Sequence, residues 1–397
     1  MTGENIRRTW AEIDLDAIAH NLREIQKFTS GNARIMAVVK ADAYGHGALQ
    51  VARSALENGA SWLAVSVLEE ALELRTGGIE APILILSDSE PACAEAIITK
   101  EIRQAVYTFD MARTLSAAAR RIGKRAKIHL KIDTGMGRIG FRPDSAPEEA
   151  ERIAALEGIE IEGIFTHFAV ADEFSEDSDR YTAEQYRIFY ETCEKIEQEK
   201  HIHIPLRHAA NSAAILRFPQ MHLDLVRAGI ILYGLWPSEA MKRCGADLWP
   251  AMTLKSAISY VKTAAPGSRI SYGGTYCIQE PALIATVPAG YADGYFRILG
   301  NRASVYHVKT GARAPVVGRV CMDQMMIDVT QAARFGSVRT GDEVVLFGGK
   351  CDKMPSADEV ASLAETIPYE VTCAVSRRVP RIFLKDGFPV ETVNRLI

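Results

Sequence analysis

Over roughly its first 240 residues the chain alternates between short, continuously apolar runs and amphipathic stretches, the texture of strands buried on both faces with helices between them. The runs are IMAVVK (35–40), WLAVSV (62–67), APILILS (81–87), IRQAVY (102–107), KIHLKID (127–133), IEGIFTH (161–167), IPLRHAAN (204–211) and HLDLVRAGIILYG (222–234). Each reads as a strand. Before the first, DLDAIAHNLREIQKF places Ile18, Leu22, Ile25 and Phe28 on one helical face, with Asp16 as the expected N-cap. LEEALELRTGG (68–78) ends in the Gly-Gly pair expected just past a helix C-terminus. Eight such alternations predict an α/β fold with an N-terminal (β/α)8 TIM-type barrel. An open doubly wound sheet is the alternative. It requires a GxGxxG loop after the first strand, and VKADAYGHG places its glycines elsewhere.

From about residue 245 helical periodicity nearly vanishes, except around SADEVASLAETI. KSAISYVKTA, ALIATVPAGYADGY, ASVYHVKTGARAPVVGRV, QMMIDVT and DEVVLFGG are rich in β-branched and aromatic residues and are bounded by Gly, Pro and Asp. They predict a second, mostly antiparallel β domain. The expected division is residues 1–244 for the barrel and 245–397 for the β domain, with residues 1–14 available to pair with the latter.

Composition narrows the function classes. The chain has 397 residues, 48% hydrophobic and 24% charged, which excludes a disordered chain, a coiled coil or a collagen-like repeat. Lys plus Arg is 46 against 50 Asp plus Glu, a net charge of −4 with no basic run, so neither nucleic acid nor an anionic membrane is an expected partner. No stretch approaches the roughly 18 apolar residues of a membrane span. MTGENIRRTW carries two arginines without a following apolar segment, so a cytoplasmic location is expected. The seven cysteines are scattered and form no CxxC pair, as free thiols in a reducing compartment would be.

In a barrel, chemistry sits at the C-terminal strand ends. There the chain offers Lys40, Lys131 with Asp133 and Arg138, His167, His208 with Asn211 and Ser212, and Arg227 followed by Gly229 and Ile230. Cationic and neutral donors outnumber carboxylates, which suits a phosphate plus a substrate carboxylate. No His/Cys/Asp/Glu cluster has metal spacing, and no GxSxG is present. Lys40 is the most informative residue. A lysine desolvated at its root becomes a nucleophile or base. On its own, a lysine snorkelling from a strand end is the commoner case. Tyr44 four residues on, with Gly45 and Gly47 allowing close backbone approach, shifts the reading to a Schiff-base lysine beside a phosphate-binding turn.

The segment AVVKADAYGHG resembles the pyridoxal-phosphate signature of the alanine racemase family. Further motifs agree in order: HLKIDTGMGRIGF, THFAVAD, HAANSAA, VRAGIILYG, ISYGGTY, VPAGYADGY, VGRVCMDQ and YEVTCAVSRRVPR, spanning about Thr9 to Arg381. The resemblance implies a pyridoxal 5′-phosphate enzyme that interconverts L-alanine and D-alanine by a two-base mechanism. Lys40 would bind the cofactor and serve one face of the substrate, and Tyr272 the other. Tyr44, Ser212, Tyr369 and the backbone N–H groups of Gly229 and Ile230 would hold the phosphate. Arg227 would face the ring nitrogen and keep it unprotonated, which disfavours transamination. His167, held by Arg227, would assist Tyr272.

Arg138 would contact the cofactor's phenolic oxygen and the substrate carboxylate, with the backbone N–H of Met322 also on that carboxylate and Asp323 ordering its turn. Lys131 is the position at which the family often carries a carbamate. Cys321 reads as a buried structural thiol. The implied assembly is a homodimer with shared active sites, and the implied role is D-alanine supply for the cell wall or D-alanine catabolism. Alternatives are a racemase of serine or of broad specificity, a decarboxylase on the same plan, and a pyridoxal-phosphate carrier without turnover. The decarboxylase would carry a GGG-type phosphate loop and a catalytic cysteine motif. A carrier would have no need of the β domain with Tyr272 and Met322.

Overall fold

Residues 7–396 are described by a computed structural model; residues 1–6 of the expected N-terminal pairing segment lie outside them. β1 (Thr9–Asp14) leads through the helix Leu15–Phe28 into eight parallel strands. These are β2 (Arg34–Val38), β3 (Trp62–Val65), β4 (Ile83–Ile85), β5 (Arg103–Val106), β6 (Ala126–Lys131), β7 (Ile159–Phe165), β8 (Leu206–His208) and β9 (Leu225–Ala228). They hydrogen-bond in the order β8-β7-β6-β5-β4-β3-β2-β9. Two backbone bonds bring β9 back to β8: Asp224 N–H to Arg207 O at 3.1 Å and Arg227 N–H to Ala210 O at 3.0 Å. The result is the eight-stranded α/β barrel. Its strands are largely apolar because helices cover the outside and side chains fill the inside.

The interior is not uniformly apolar. His129, Lys131, His208 and Arg227 point into it and are all buried. Register sets them in layers: Lys131 lies beside Phe165, Phe165 beside His208, and Met36 beside Arg227. Buried polar groups of this kind demand partners, and the informative question is what they hold.

Three local expectations are corrected. The helix Leu15–Phe28 is capped by Asp14, whose carboxylate accepts from Ala17 N–H, and Asp16 stands inside its first turn. The last two apolar runs form only short strands. Ile230–Tyr233 is a 3-10 turn rather than strand, and the helix Ser212–Arg217 follows directly on the seventh run. Lys40 is not the last residue of its strand, which ends at Val38.

The second part of the chain is built on β10 (Met252–Ala257), β11 (Tyr260–Ala264), β12 (Arg269–Ile270), β13 (Tyr276–Cys277), β14 (Ala282–Val287), β15 (Ser304–His307), β16 (Ala312–Pro315), β17 (Met325–Asp328), β18 (Glu343–Gly348), β19 (Arg381–Lys385) and β20 (Phe388–Val393). A seven-stranded sheet runs β16-β15-β18-β10-β1-β19-β20, so β1 crosses from the front of the chain into it. All its pairs are antiparallel except β1 with β19. A three-stranded sheet β11-β14-β17 and the hairpin β12-β13 complete the β structure. SADEVASLAETI yields the helix Ala357–Leu363, capped by Ser356. A second helix, Pro368–Cys373, carries Tyr369 back to the barrel. Among the described residues no helix is long and apolar enough to cross a membrane.

Candidate active site

Lys40 opens a turn of unusual hand. Ala41, Asp42, Ala43 and Tyr44 all have φ between 52° and 54°, a left-handed turn made of ordinary L-residues. Each such residue costs about 1–2 kcal/mol, so the surroundings must over-determine it. Glu70 accepts from Ala41 N–H at 2.6 Å, and Asp42 accepts from Ala48 N–H at 2.9 Å. Gly45 follows with its α-carbon against Thr372 O, where a Cβ would lie only 2.2 Å away. The turn is thus locked between the barrel and the helix Pro368–Cys373. It leaves Lys40 half-buried at the mouth and Tyr44 buried beneath it. Burial, reinforced by the Arg138 charge, lowers the Lys40 pKa below the usual amine value.

Beside Lys40 lies a pocket of donors. Tyr44 and Tyr369 face each other with ring centroids 6.0 Å apart, and Tyr44 packs on Tyr233 at 4.9 Å. Ser212 Oγ accepts from Gly229 N–H at 3.0 Å. A Cβ at residue 229 would lie 3.0 Å from the Tyr44 hydroxyl and 3.3 Å from Ser212 Oγ, so glycine keeps this cradle open. Ser212 does not cap its helix; Asn211 does that, accepting from Ala214 N–H. Burial raises the Tyr44 and Tyr369 hydroxyls well above an ordinary phenol, so both remain donors. These hydroxyls and the Ile230 backbone N–H suit a phosphate, as would the Gly229 N–H on release from Ser212 Oγ.

Both terminal nitrogens of Arg227 meet acceptors. Its Nη1 donates to His208 Nδ1 at 3.1 Å. Its Nη2 reaches Thr166 O at 2.8 Å, Ala209 O at 2.9 Å and His167 Nδ1 at 3.2 Å. Among the described residues its Nε has no partner and no carboxylate lies within ion-pair reach. Burial lowers its pKa to about 9. An arginine cannot accept a hydrogen bond, so His167 Nδ1 must be unprotonated and the ring proton lies on Nε2. Burial and then the Arg227 charge hold His167 well below its ordinary value, so the ring is neutral.

Lys131 is 2% exposed. Its Nζ donates to Ile132 O at 2.7 Å and stands 5.5 Å from the centre of the Phe165 ring. Burial, then Arg227, pull its pKa down to about 7, with Asp133 opposing and Arg138 adding to the fall. Arg138 itself is exposed at the mouth. The Asp133 carboxylate is engaged by Gly135 and Gly137 N–H, each at 3.1 Å.

The barrel therefore brings Lys40, Tyr44, Lys131, Arg138, His167, Ser212, Arg227, Gly229 and Ile230 to one mouth, with Tyr369 joining from the β part. It does not bring Tyr272 or Met322. These are 71% and 53% exposed and make no side-chain hydrogen bond with a barrel residue among those described. They do neighbour each other. Ser271, at φ 64°, and Cys321 are tied by an Oγ···Sγ contact of 3.4 Å. Asp323 accepts from Arg378 at 2.7 Å, which anchors the turn after Met322. Cys321 is half-buried, a correction to the expected buried thiol.

Sequence reasoning missed His208 and Thr166 as partners of Arg227. His208 stood at a strand end in HAAN, but nothing local linked it to an arginine nineteen residues on. The side chains of His20, Glu24 and Asp247 also converge, with ligand atoms within 4.8 Å of one another. They pair with local groups instead, His20 with Asp247 and Glu24 with Lys27.

Comparison with known proteins fits this geometry. Residues 13–237 match a family described as "Alanine racemase, N-terminal domain", and residues 251–383 one described as "Alanine racemase, C-terminal domain". The alanine racemase of Desulforamulus reducens is 49% identical over 376 residues, covering 94% of this chain and 98% of that protein. The alanine racemase of Clostridium difficile 630 superposes with a TM-score of 0.91 at 40% identity, over 98% of this chain and 99% of the other. That of Bacillus anthracis, solved with bound L-Ala-P, gives 0.90 at 39% identity over 98% of each chain. With a barrel mouth built around Lys40 and Arg227 and matches running through both parts, this chain belongs to the alanine racemase family.

Proposed function

We propose that the protein interconverts L-alanine and D-alanine with pyridoxal 5′-phosphate, as a homodimer whose two sites each draw on both chains. The observation that carries this is the pairing of a desolvated Lys40 with an open phosphate cradle and a carboxylate-free Arg227. Lys40 Nζ would hold the cofactor. Tyr44, Ser212, Tyr369 and the Gly229 and Ile230 backbone would hold its phosphate, Arg138 its phenolic oxygen, and the free Nε–H of Arg227 its ring nitrogen. When bound, the cofactor supplies an electron sink for the pair left on the substrate α-carbon.

The chain's own groups then divide the proton work. Lys40 Nζ, with its lowered proton affinity, takes or returns the α-proton on one face. Tyr272 Oη does so on the other. A phenol ordinarily yields its proton only near pH ~10, so it needs a donor to stabilise its anion. The Nε2–H of His167 is that donor, because Arg227 occupies Nδ1. Arg227 keeps its own protons and so would leave the ring nitrogen of a bound cofactor unprotonated.

Tyr272 and Met322 face solvent in one chain, and a substrate of a few heavy atoms must touch both bases. A head-to-tail twofold dimer satisfies this: the barrel of one protomer (residues 1–244) meets the β domain (245–397) of its partner. Lys131, drawn down to a pKa of about 7, is a neutral amine at mildly alkaline pH. Its nitrogen can add to carbon dioxide and release a proton. The resulting carbamate is an anion beside Arg138. We assign the protein to the cytoplasm on its seven unpaired thiols, which a reducing compartment keeps free.

Chiral analysis of products from a panel of L-amino acids tests the reading. D-Alanine as the dominant product supports it. Conversion of serine or many amino acids with equal efficiency would move the assignment to a broader racemase, and no racemisation by cofactor-loaded protein would overturn it.

A further inference from the structure

The charge on Arg227 has no anion beside it, yet one lies at the end of a buried line of side chains. Arg227 Nη1 meets His208 Nδ1 at 3.1 Å. His208 Nε2 meets His129 Nδ1 at 2.9 Å. His129 Nε2 stands 3.5 Å from Glu162 Oε2, a long and chiefly electrostatic contact. The line descends the inside of the barrel from β9 through β8 and β6 to β7. Glu162 is gripped at its far end by Arg103, with Nε at 2.9 Å and Nη2 at 3.2 Å, and by Lys127 at 3.3 Å.

Donor and acceptor chemistry allows this line only one direction. Arg227 can only donate, so His208 Nδ1 accepts and its proton sits on Nε2. His129 Nδ1 must then accept, and its proton also sits on Nε2, facing Glu162. An ionised carboxylate can only accept, so the far end closes consistently. Burial alone would raise the Glu162 pKa, but hydrogen bonds and charge from His129 and Arg103 outweigh it and keep the group ionised. Burial and then Arg227 hold His208 neutral, with His129 and Lys131 adding to the effect; burial also holds His129 low against the pull of Glu162.

The rings have no freedom to turn away. His208 stacks on Phe165, centroids 4.8 Å apart and planes 3° from parallel. His129 packs on Trp62 at 5.5 Å. It also fills the space over Gly163, where a Cβ would lie 2.5 Å from His129 Nδ1. That glycine has an unremarkable φ, so its role is to make room.

We propose that Glu162 and His129 are positioning residues for Arg227: they fix the His208 tautomer that receives Nη1 and so hold the guanidinium with Nε free for the cofactor. A carboxylate set directly against Arg227 would compete for the edge it presents. Placed at the end of the line, it orients the two rings and leaves that edge open. If the line is reversed, His208 Nδ1–H confronts an arginine N–H and the guanidinium must move.

This inference rests on the racemase reading, and its test separates the two. Neutron diffraction of the cofactor-loaded wild-type protein shows the ring protons directly. Deuterium on Nε2 of both His129 and His208 is expected; deuterium on Nδ1 of either would overturn the proposal whether or not the protein racemises alanine. In a second arm, Glu162→Leu strands the His129 proton without an acceptor, while Glu162→Gln keeps one. Glu162→Leu should lower kcat about tenfold, the scale on which loss of an outer partner of a site group is felt. KM for alanine should stay within about twofold, and the bound cofactor's absorption should shift, because Arg227 would face the cofactor ring and Arg138 the substrate carboxylate. Glu162→Gln should recover most of the loss. A folded Glu162→Leu holoenzyme with unchanged kcat and spectrum would overturn the proposal and leave the racemase reading standing.

Discussion

Arg227 Nη2 lies 3.2 Å from His167 Nδ1, and because the arginine can only donate, this single contact decides that His167 presents an N–H from its other nitrogen. The ring is thereby a donor toward the barrel mouth at every pH above its depressed pKa. A general base brought there from a second chain, as proposed above, would meet a hydrogen bond ready to stabilise its anion.

That base is Tyr272 in this account, and it serves one face only. Tyr272→Phe should therefore abolish α-proton exchange with solvent deuterium from one enantiomer of alanine. Exchange from the other, handled by Lys40, should survive at a substantial rate. Mass spectrometry of each enantiomer incubated separately reads this out. Equal small losses from both would contradict the division of labour.

Lys40→Ala should eliminate racemisation and borohydride-fixable attachment of the cofactor. The observation behind it is the half-buried amine on a turn whose geometry no other lysine shares: Lys131 is sunk deeper and bonded to Ile132 O. Normal turnover with attachment at another lysine would be contradictory.

Gly229→Ala tests the phosphate cradle and the backbone together, since φ −103° with ψ −111° lies outside the regions that alanine favours. The added Cβ enters the space between Tyr44 and Ser212. Affinity for pyridoxal phosphate should fall by about tenfold, roughly 1.4 kcal/mol, and the cofactor-free protein should lose some thermal stability to the strained backbone. Fluorescence titration gives the affinity.

Lys131 carries a pH signature. Its folded pKa of about 7 lies below the ordinary lysine value, so between those two limits the unfolded chain binds a proton that the folded chain does not. Stability should rise with pH through that window, and below about pH 7 the cost is constant and amounts to a few kcal/mol. Lys131→Met should remove this part of the slope and raise Tm at neutral pH. Bicarbonate should stabilise the wild type, by converting the amine to a carbamate, and leave Lys131→Met unmoved.

Much of this architecture was legible in the chain because parallel strands write themselves as apolar runs. Strand-end reading likewise found Lys40, Lys131, His167 and Arg227, since a barrel gathers whatever follows its strands. Two features were not legible. The left-handed turn Ala41–Tyr44 is spelled with Ala and Asp, residues that carry no signal for positive φ, and it exists only because Glu70 and the helix Pro368–Cys373 clamp it. The line from Glu162 through His129 and His208 joins residues from three strands. Its members meet only through barrel register, including a shift between Ile128 and His129 that no periodicity announces. The choice between Asp14 and Asp16 as cap turned on where the strand β1 stops, which depends on its pairing with distant β10 and β19.

The central claim is that one substrate sits between a base from each of two chains, and subunit complementation tests it most directly. Lys40→Ala and Tyr272→Ala proteins, each inactive, are mixed and allowed to exchange subunits, with exchange followed by native mass spectrometry. A shared site predicts that each heterodimer contains one site with both bases and one with neither, so racemisation returns in proportion to heterodimer formed. Confirmed exchange with activity still at background would show that Lys40 and Tyr272 act within one chain and would contradict the account.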